Sequence, residues 1–383
     1  MKKIYLDEAS TSKPKKEVVE AVKNYLEDMY YNPSSLHSGG VKVRKSIEEA
    51  RENVADFINA ESEEIIFTSG ATESNNWVIR GFDDWQKGFN SAIITTPIEH
   101  NSILKALENP ALHSEIHICK VDDKGFVDMD SLKMLLNLTK GKDTLVSICM
   151  ANNEIGTIQN IQEISKLVHY FEYSAALHVD ATQALAHTQI DVKELDIDFL
   201  TGSAHKLGGL KGSGFLYKKK IFDEFPSLIY GEQESNMRGG TENVIGIVAL
   251  GEAVKHINYD YTLVHKRDYM LYRLESWFNC KLNGDLFDRL PNNINVTFPD
   301  VTGQSLLYTL DLANIYCSVG SACNSHNTEP SHVLKAIGLT DEEAMRTVRF
   351  TLPYDITFDD IDFVLEEIRK AIEINKVEVT SIE

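Results

Sequence analysis

The chain has 383 residues, and 38 Lys or Arg against 58 Asp or Glu give it a formal charge of −20. This acidic balance disfavours direct binding of nucleic acid. No apolar run approaches the roughly 20 residues of a membrane helix. The acidic residue Asp7 comes too early for the apolar segment of a signal peptide. Five cysteines without CxxC spacing argue against a disulfide framework or a metal site, so we expect a soluble cytoplasmic protein.

The first part of the chain alternates between helical and strand-like patterns. Two helices come first, and their apolar residues recur every three or four positions: Val18, Val22, Tyr25, Leu26 and Met29, then Val43, Ile47, Val54, Phe57 and Ile58. Short apolar runs typical of strands follow at 65–67, 92–94, 145–148, 177–179 and 199–200, with helical patterns at 129–137 and 160–171. This rhythm predicts an α/β fold whose mostly parallel central sheet is covered on both faces.

The pattern changes near residue 257. The predicted elements beyond it are a polar helix at 261–279, a strand at 293–298, a helix at 303–311, strands at 314–319 and 346–351, and a closing helix at 358–374. We therefore predict a large domain over 15–257 and a smaller α+β domain formed by 1–14 together with 258–383.

The segment from Phe67 to Asn76 predicts a strand, a turn of small residues and the start of a helix. Such a turn presents backbone N–H groups and hydroxyls at the positive end of a helix, which suits a phosphate group. A Ser/Thr helix cap without a ligand explains the segment equally well when it is considered alone.

Two further segments place charged residues just after predicted strands. Asp180 ends one strand, where a carboxylate is costly unless it meets a positive partner, although a helix cap or salt bridge would explain a lone aspartate. Lys206 follows the next strand among small residues, unlike most lysines, which are solvated surface charges. A phosphate-binding turn, a strand-end Asp and a downstream Lys are together what pyridoxal phosphate requires.

With these residues the sequence resembles the class-V aminotransferases of the fold-type I pyridoxal-phosphate enzymes, and among them the cysteine desulfurases of the NifS/IscS type. The resemblance extends over nearly the whole chain and implies a large domain with a mostly parallel sheet and a smaller α+β C-terminal domain. It rests on segments 5–7, 32–37, 68–75, 99–102, 153–157, 179–183, 203–206, 238–243 and 320–323, in this order.

The resemblance implies roles for individual residues. Lys206 matches the lysine that binds the cofactor covalently, Asp180 the partner of its pyridine nitrogen, and Gln183 the donor to its phenolic oxygen. His100 matches a histidine that stacks on the ring and moves protons, for which a core histidine is the ordinary alternative. The other implied contacts are with the phosphate, from Ala71, Thr72, Ser203 and His205, with the ring or substrate, from Asn152, and with the neighbouring subunit's cofactor, from Thr241. Such sharing implies a homodimer.

The substrate would be bound by residues of the C-terminal part. Arg349 matches the arginine whose guanidinium fork binds the substrate carboxylate, whereas Arg346 is expected to be a surface charge. Cys323 lies in a small, polar segment expected to form an exposed, mobile loop, where a thiol is a usable nucleophile. Cys317 and the three other cysteines are expected to be buried and inert. The segment 351–353 (Thr-Leu-Pro) departs from the commoner Ser-Leu-Gly near the arginine.

The implied reaction converts L-cysteine to L-alanine, with the sulfur passed to Cys323 as a persulfide. From there it would go to an acceptor protein for iron–sulfur clusters, tRNA thiolation or thiamine synthesis. Selenocysteine lyase and class-V aminotransferase are the alternatives within the resemblance, and an aminotransferase would not need Cys323. A non-catalytic sulfur-delivery partner is a further alternative. The presence of five residues argues against it: Lys206, Asp180, His100, Arg349 and Cys323.

Overall fold

The computed structural model describes residues 2–85, 90–171, 175–319 and 329–380. The strands are β1 (Ile4–Tyr5), β2 (Ile65–Thr68), β3 (Ser91–Thr95), β4 (Glu115–Ile118), β5 (Asp143–Cys149), β6 (Ala175–Asp180), β7 (Phe199–Ser203), β8 (Gly214–Lys218), β9 (Lys281–Leu282), β10 (Asn293–Thr297), β11 (Ile315–Tyr316) and β12 (Thr347–Thr351). The helices are α1 (Lys16–Glu27), α2 (Ser38–Ile58), α3 (Ala71–Trp85), α4 (Asn101–Leu107), α5 (Met129–Leu138), α6 (Ile161–Phe171), the short α7 (Gln233–Asn236), α8 (Val244–Lys255), α9 (Thr262–Phe278), α10 (Gly303–Leu312), α11 (His332–Ala336), α12 (Asp341–Met345) and α13 (Phe358–Thr380).

The central sheet of the described residues has seven strands in the order β2-β8-β7-β6-β5-β3-β4. Only β8 runs against its neighbours, so the prediction of a mostly parallel sheet is confirmed. Every residue of β3, β6 and β7 is buried, as expected for parallel strands with helices on both faces. Parallel strands end at the same edge of the sheet, so Asp180 and the segment after Ser203 lie side by side.

Helices α2 and α8 pack closely against each other on one face of this sheet. The apolar residues of α2 recur at helical spacing, and Val43, Ile47 and Val54 are buried. A Cβ atom on Gly251 of α8 would lie 2.6 Å from the Cα atom of Ala50, so glycine allows the two helices to meet. In α1 the predicted apolar face is only partly correct, because Val18 and Val22 are buried but Leu26 is 63% exposed.

The C-terminal part forms a second, smaller layer that includes the N-terminus. β10 lies between β12 and β9 in an antiparallel sheet, and β1 pairs in parallel with β11. Ile4 and Leu6 join a separate hydrophobic cluster built from α9, α10, α13 and these strands. A further bridge joins Asp7 to Thr351, which brings the N-terminal segment beside β12. This arrangement is the one expected for a smaller α+β unit; the domain limits themselves stay a prediction.

The four described cysteines are free thiols. Cys119, Cys149 and Cys280 are buried as predicted, and burial raises the pKa of Cys119 to about 11. The prediction that Cys317 is buried is only partly correct, because this residue lies just after β11 and is half-buried. Burial still raises its pKa to about 12. Cys323 lies outside the described residues. Within the described ranges, no helix has the length and apolar character needed to cross a membrane.

Candidate active site

A cavity of about 660 Å³ lies at the edge of the central sheet where β5, β6 and β7 end. This volume is in the range of about 300–1,000 Å³ that is usual for small-molecule sites. The residues predicted from the sequence that line it are Ala71, Thr72, His100, Asp180, Gln183, Ser203, His205, Lys206 and Arg349. Residues from both parts of the chain therefore meet in one place.

Lys206 ends a single 3₁₀ turn that follows β7. Its amine donates hydrogen bonds to the carbonyl groups of Ala9 and Ser10, the latter at 2.7 Å. Gln183 donates to the same Ala9 carbonyl at 2.9 Å. The N-terminal segment thus holds the lysine amine and the Gln183 amide at the cavity, where each can instead contact a bound molecule.

Asp180 is the last residue of β6 and is 6% exposed. One of its carboxylate oxygens accepts from Asn75 Nδ2 at 2.7 Å, and the other accepts from the Thr182 backbone N–H at 3.0 Å. Two neutral donors hold the carboxylate in place, and the residues that the structure describes form no ion pair with it. A positively charged ring nitrogen is the kind of partner that such a buried carboxylate favours.

His100 is the N-cap of α4, and its Nδ1 atom accepts from the backbone N–H of Ser102 at 3.1 Å. Burial lowers the pKa of His100 below its ordinary value, which favours the neutral imidazole. The preceding Glu99 is fully buried, accepts from the Thr96 hydroxyl at 2.6 Å, and has its pKa raised to about 8 by burial. Glu99 is therefore mostly protonated at neutral pH.

The predicted phosphate-binding turn leads into α3, which begins at Ala71. Gly70 lies close to β8, because a Cβ atom on Gly214 would be 2.6 Å from the Cα atom of Gly70. The turn is therefore held at the sheet edge, with the N-terminus of a 15-residue helix directed at the cavity wall. His205 lies opposite in the same cavity, and burial followed by the charge of Lys206 lowers its pKa to about 4.

Arg349 comes from the middle of β12 and is 2% exposed. Its guanidinium donates to the Asn153 carbonyl at 2.9 Å, the Asp7 carboxylate at 2.8 Å and the Ser10 hydroxyl at 2.9 Å. Its Nε atom is buried and has no partner among the described residues. Arg346, by contrast, pairs at the surface with Glu342, as the sequence predicted.

Three predicted residues are not brought to the cavity by the described structure. Asn152 is buried, and its amide donates to the Ile98 carbonyl at 2.8 Å and accepts from the backbone N–H groups of Glu154 and Ile155. It is not a lining residue of the cavity, so its contact with ring or substrate stays a prediction. Thr241 is exposed, and its contact with a neighbouring subunit stays a prediction as well. Cys323 lies outside the described residues.

The sequence interpretation missed several residues of this site. Asp7 and Ser10 line the cavity and bind Arg349, and His332 lines it while its Nε2 atom contacts the Glu99 carbonyl at 3.0 Å. Asn75 and Ser102 lie behind the wall and connect Asp180 with His100. Asp7, Asn75 and Ser102 lie in segments that carry the resemblance and Ser10 lies close to one, whereas His332 lies outside them. Each of the five has a partner from a distant part of the chain.

The cavity fits pyridoxal phosphate. An amine, a carboxylate, an imidazole and a helix N-terminus line it, which are the groups that this cofactor needs. Three of its lining residues, Glu99, Thr182 and Arg349, carry a buried polar atom without a hydrogen-bond partner among the described residues. Such atoms are costly unless a bound molecule supplies the partner. The described residues contain no cluster of three or more His, Cys, Asp or Glu side chains that could hold a metal ion.

Comparison with known proteins gives consistent results. The model of the family described as aminotransferase class-V matches residues 4–364. A protein named cysteine desulfurase IscS from Dictyoglomus turgidum is 44% identical over 382 residues, covering 97% of this chain and 95% of that protein. A protein of the same name from Methanosarcina thermophila is 41% identical over 380 residues, covering 97% of this chain and 92% of that protein.

Solved structures resemble the whole fold. A NifS-like protein superposes with a TM-score of 0.90 at 30% identity, covering 97% of this chain and all of that chain. A structure described as SspA in complex with cysteine has a TM-score of 0.82 at 33% identity, covering 91% and 99%. These likenesses extend over both parts of the chain that form the cavity.

Proposed function

The chain belongs to the aminotransferase class-V family, and we propose that within it the protein is a pyridoxal-phosphate-dependent cysteine desulfurase. The observation that carries the proposal is that Lys206, Asp180 and Arg349 line one cavity. The relatives named cysteine desulfurase and the solved structure with cysteine support the choice of substrate. The reaction is the conversion of L-cysteine to L-alanine with transfer of sulfur to an enzyme cysteine.

Bound pyridoxal phosphate supplies an aldehyde that an amine can link to and a ring that withdraws electrons from the substrate. Lys206 would hold it covalently, and its amine, once released, would accept and return protons on the substrate side. Asp180 would keep the ring nitrogen protonated by its negative charge. Gln183 would donate to the phenolic oxygen, while the turn at Ala71 and Thr72, with Ser203 and His205, would bind the phosphate.

Arg349 would bind the substrate carboxylate. Its side chain lines the cavity, and its Nη2 atom donates to Asp7 and Ser10. A substrate carboxylate that takes the place of one of these acceptors would form a charge-assisted hydrogen bond with the guanidinium. The substrate would thus be oriented with its amino group near Lys206.

Sulfur transfer would use Cys323. Its thiolate would attack the sulfur atom of the substrate, so that the carbon–sulfur bond breaks while a sulfur–sulfur bond forms. The cysteine substrate and the enzyme thiol together become alanine and the enzyme persulfide, so atoms and electrons balance. The half-buried Cys317 and the buried cysteines are poor candidates, because their raised pKa leaves little thiolate at neutral pH.

The oligomeric state, sulfur acceptor and location of the protein are further parts of the proposal. We propose a homodimer in which Thr241 contacts the cofactor of the neighbouring subunit, and a separate sulfur-acceptor protein that takes the persulfide sulfur. We also propose a cytoplasmic location and no direct role for nucleic acid or membranes.

The proposal is tested by incubating the cofactor-loaded protein with L-cysteine and a thiol reductant and measuring alanine and sulfide together. Equal amounts of the two products are expected, and none from the matched variant Lys206→Ala. An aminotransferase would instead convert an amino-acid and oxo-acid pair without releasing sulfide. A non-catalytic sulfur-delivery protein would release neither product, and either outcome would refute the proposal.

A further inference from the structure

A chain of side-chain hydrogen bonds connects Asp180 with His100 behind the cavity wall. Asn75 Nδ2 lies 2.7 Å from the Asp180 carboxylate and 2.9 Å from the Ser102 hydroxyl. The Ser102 hydroxyl lies 2.8 Å from His100 Nδ1. Asn75 is 0% exposed and Ser102 is 7% exposed, so water does not compete for these bonds.

The direction of each hydrogen bond in this chain is fixed by chemistry. A carboxylate accepts hydrogen bonds only, so Asn75 must turn its NH₂ group towards Asp180. The second hydrogen of that NH₂ group is donated to Ser102, whose hydroxyl then has its own single hydrogen left to donate to His100 Nδ1. The Ser102 backbone N–H donates to the same Nδ1 atom at 3.1 Å. Nδ1 therefore accepts two hydrogen bonds and carries no proton.

We infer that Asn75 and Ser102 are positioning residues that hold His100 as the neutral tautomer protonated at Nε2. A neutral imidazole is a very weak acid, and in this tautomer its only basic atom, Nδ1, is engaged by two donors. In its resting state His100 therefore presents an Nε2–H donor, as neutral histidines do in other enzymes. The effect of this tautomer on turnover rests on the proposed function, whereas the tautomer itself does not.

The charges that face His100 do not overturn this state. Asp180 and Glu154 favour the protonated imidazole, whereas Lys206 and His332 disfavour it, and burial acts most strongly, in the direction of the neutral ring. Protonation would have to occur at Nδ1, where the added hydrogen would repel the two hydrogens that Ser102 donates to this atom. The hydrogen bonds to Nδ1 and the burial of the ring therefore both favour the neutral imidazole.

The test uses the full-length, cofactor-loaded protein with ¹³C- and ¹⁵N-labelled histidine, and NMR shifts that report which ring nitrogen carries the proton. The His100 signals are identified by their loss in His100→Gln. In the wild type we expect Nε2 protonated, Nδ1 unprotonated and a pKa below the ordinary 6.5. A proton on Nδ1, or titration at or above 6.5, overturns the inference without using any variant of Ser102.

Two matched variants test the positioning role. Ser102→Ala removes the hydroxyl donor and should raise the pKa of His100 by about half to one unit, whereas Ser102→Thr keeps the hydroxyl and should leave it unchanged. The acidic limb of the kcat/KM profile for alanine release should move with the NMR pKa. An unchanged pKa in Ser102→Ala would refute the role of Ser102. If no alanine is released by the wild type, the proposed function fails, while the NMR result still decides the tautomer.

Discussion

Replacing Arg349 with lysine should weaken binding of L-cysteine while leaving the binding of pyridoxal phosphate unchanged. Arg349 is 2% exposed, lines the cavity, and donates through its guanidinium to Asn153, Asp7 and Ser10. An ammonium keeps the charge but has no second donor in the same plane. It can pair with Asp7 or with the substrate carboxylate, but it cannot reproduce the fork.

The size of the effect follows from the hydrogen bond that is lost. A charge-assisted hydrogen bond contributes about 1.5–3 kcal/mol, which corresponds to roughly 10- to 150-fold in the dissociation constant for L-cysteine. The cofactor is expected to bind through Lys206, Asp180 and the turn at Ala71, none of which is hydrogen-bonded to Arg349. Its affinity should therefore change by no more than about twofold, a difference of some 0.4 kcal/mol.

The assay is a titration with L-cysteine followed by cofactor absorbance, carried out in a Cys323→Ser background so that turnover does not consume the ligand. Arg346→Lys is the matched control, because Arg346 pairs with Glu342 at 2.6 Å at the surface and should not affect the titration. Wild-type affinity in Arg349→Lys would show that another residue binds the carboxylate.

Three further predictions concern the lysine, the thiols and the dimer. Lys206→Ala should retain the fold, as judged by circular dichroism, but lose the borohydride-reducible bond to the cofactor; a reducible bond in the variant would place the linkage elsewhere. At pH 8, iodoacetamide should label Cys323 first, because a pKa of about 11 leaves roughly 0.1% of Cys119 as the reactive thiolate; equally fast labelling of Cys119 in peptide maps would contradict this. Co-expressed Lys206→Ala and Thr241→Ala chains should form mixed dimers with one intact site and regain alanine release, whereas no recovery would mean that Thr241 acts within its own subunit.

The parts of the fold that the sequence predicts best are those with continuous burial. The apolar runs at 92–94, 177–179 and 199–200 lie in strands that are buried over their whole length. β4 was missed because it lies at the sheet edge, and three of its four residues are exposed, so it has no apolar run. Leu26 was assigned to a buried face by its spacing, but spacing alone does not show where a helix loses contact with its neighbours.

In the site, too, some residues could be predicted from the sequence and others could not. Asp180 and Lys206 could be found because one ends a strand and the other closely follows the neighbouring strand, and parallel strands end at the same edge of a sheet. The Ser102 hydroxyl could not be assigned a role, because its partners Asn75 and His100 come together only when α3 packs beside α4. The pairing of Arg349 with Asp7 depends likewise on the N-terminus reaching β12, a contact between residues 342 positions apart.

Sulfur transfer to Cys323 is tested most directly by a single turnover without added reductant. Cofactor-loaded wild-type protein mixed with one equivalent of L-cysteine per subunit should release one alanine per subunit and gain one sulfur atom, detected by mass spectrometry on the peptide that contains Cys323. Cys323→Ser should bind L-cysteine, as shown by the same absorbance change, but release no alanine, because a serine oxygen cannot form a persulfide. Stoichiometric alanine from Cys323→Ser would contradict the proposed sulfur transfer.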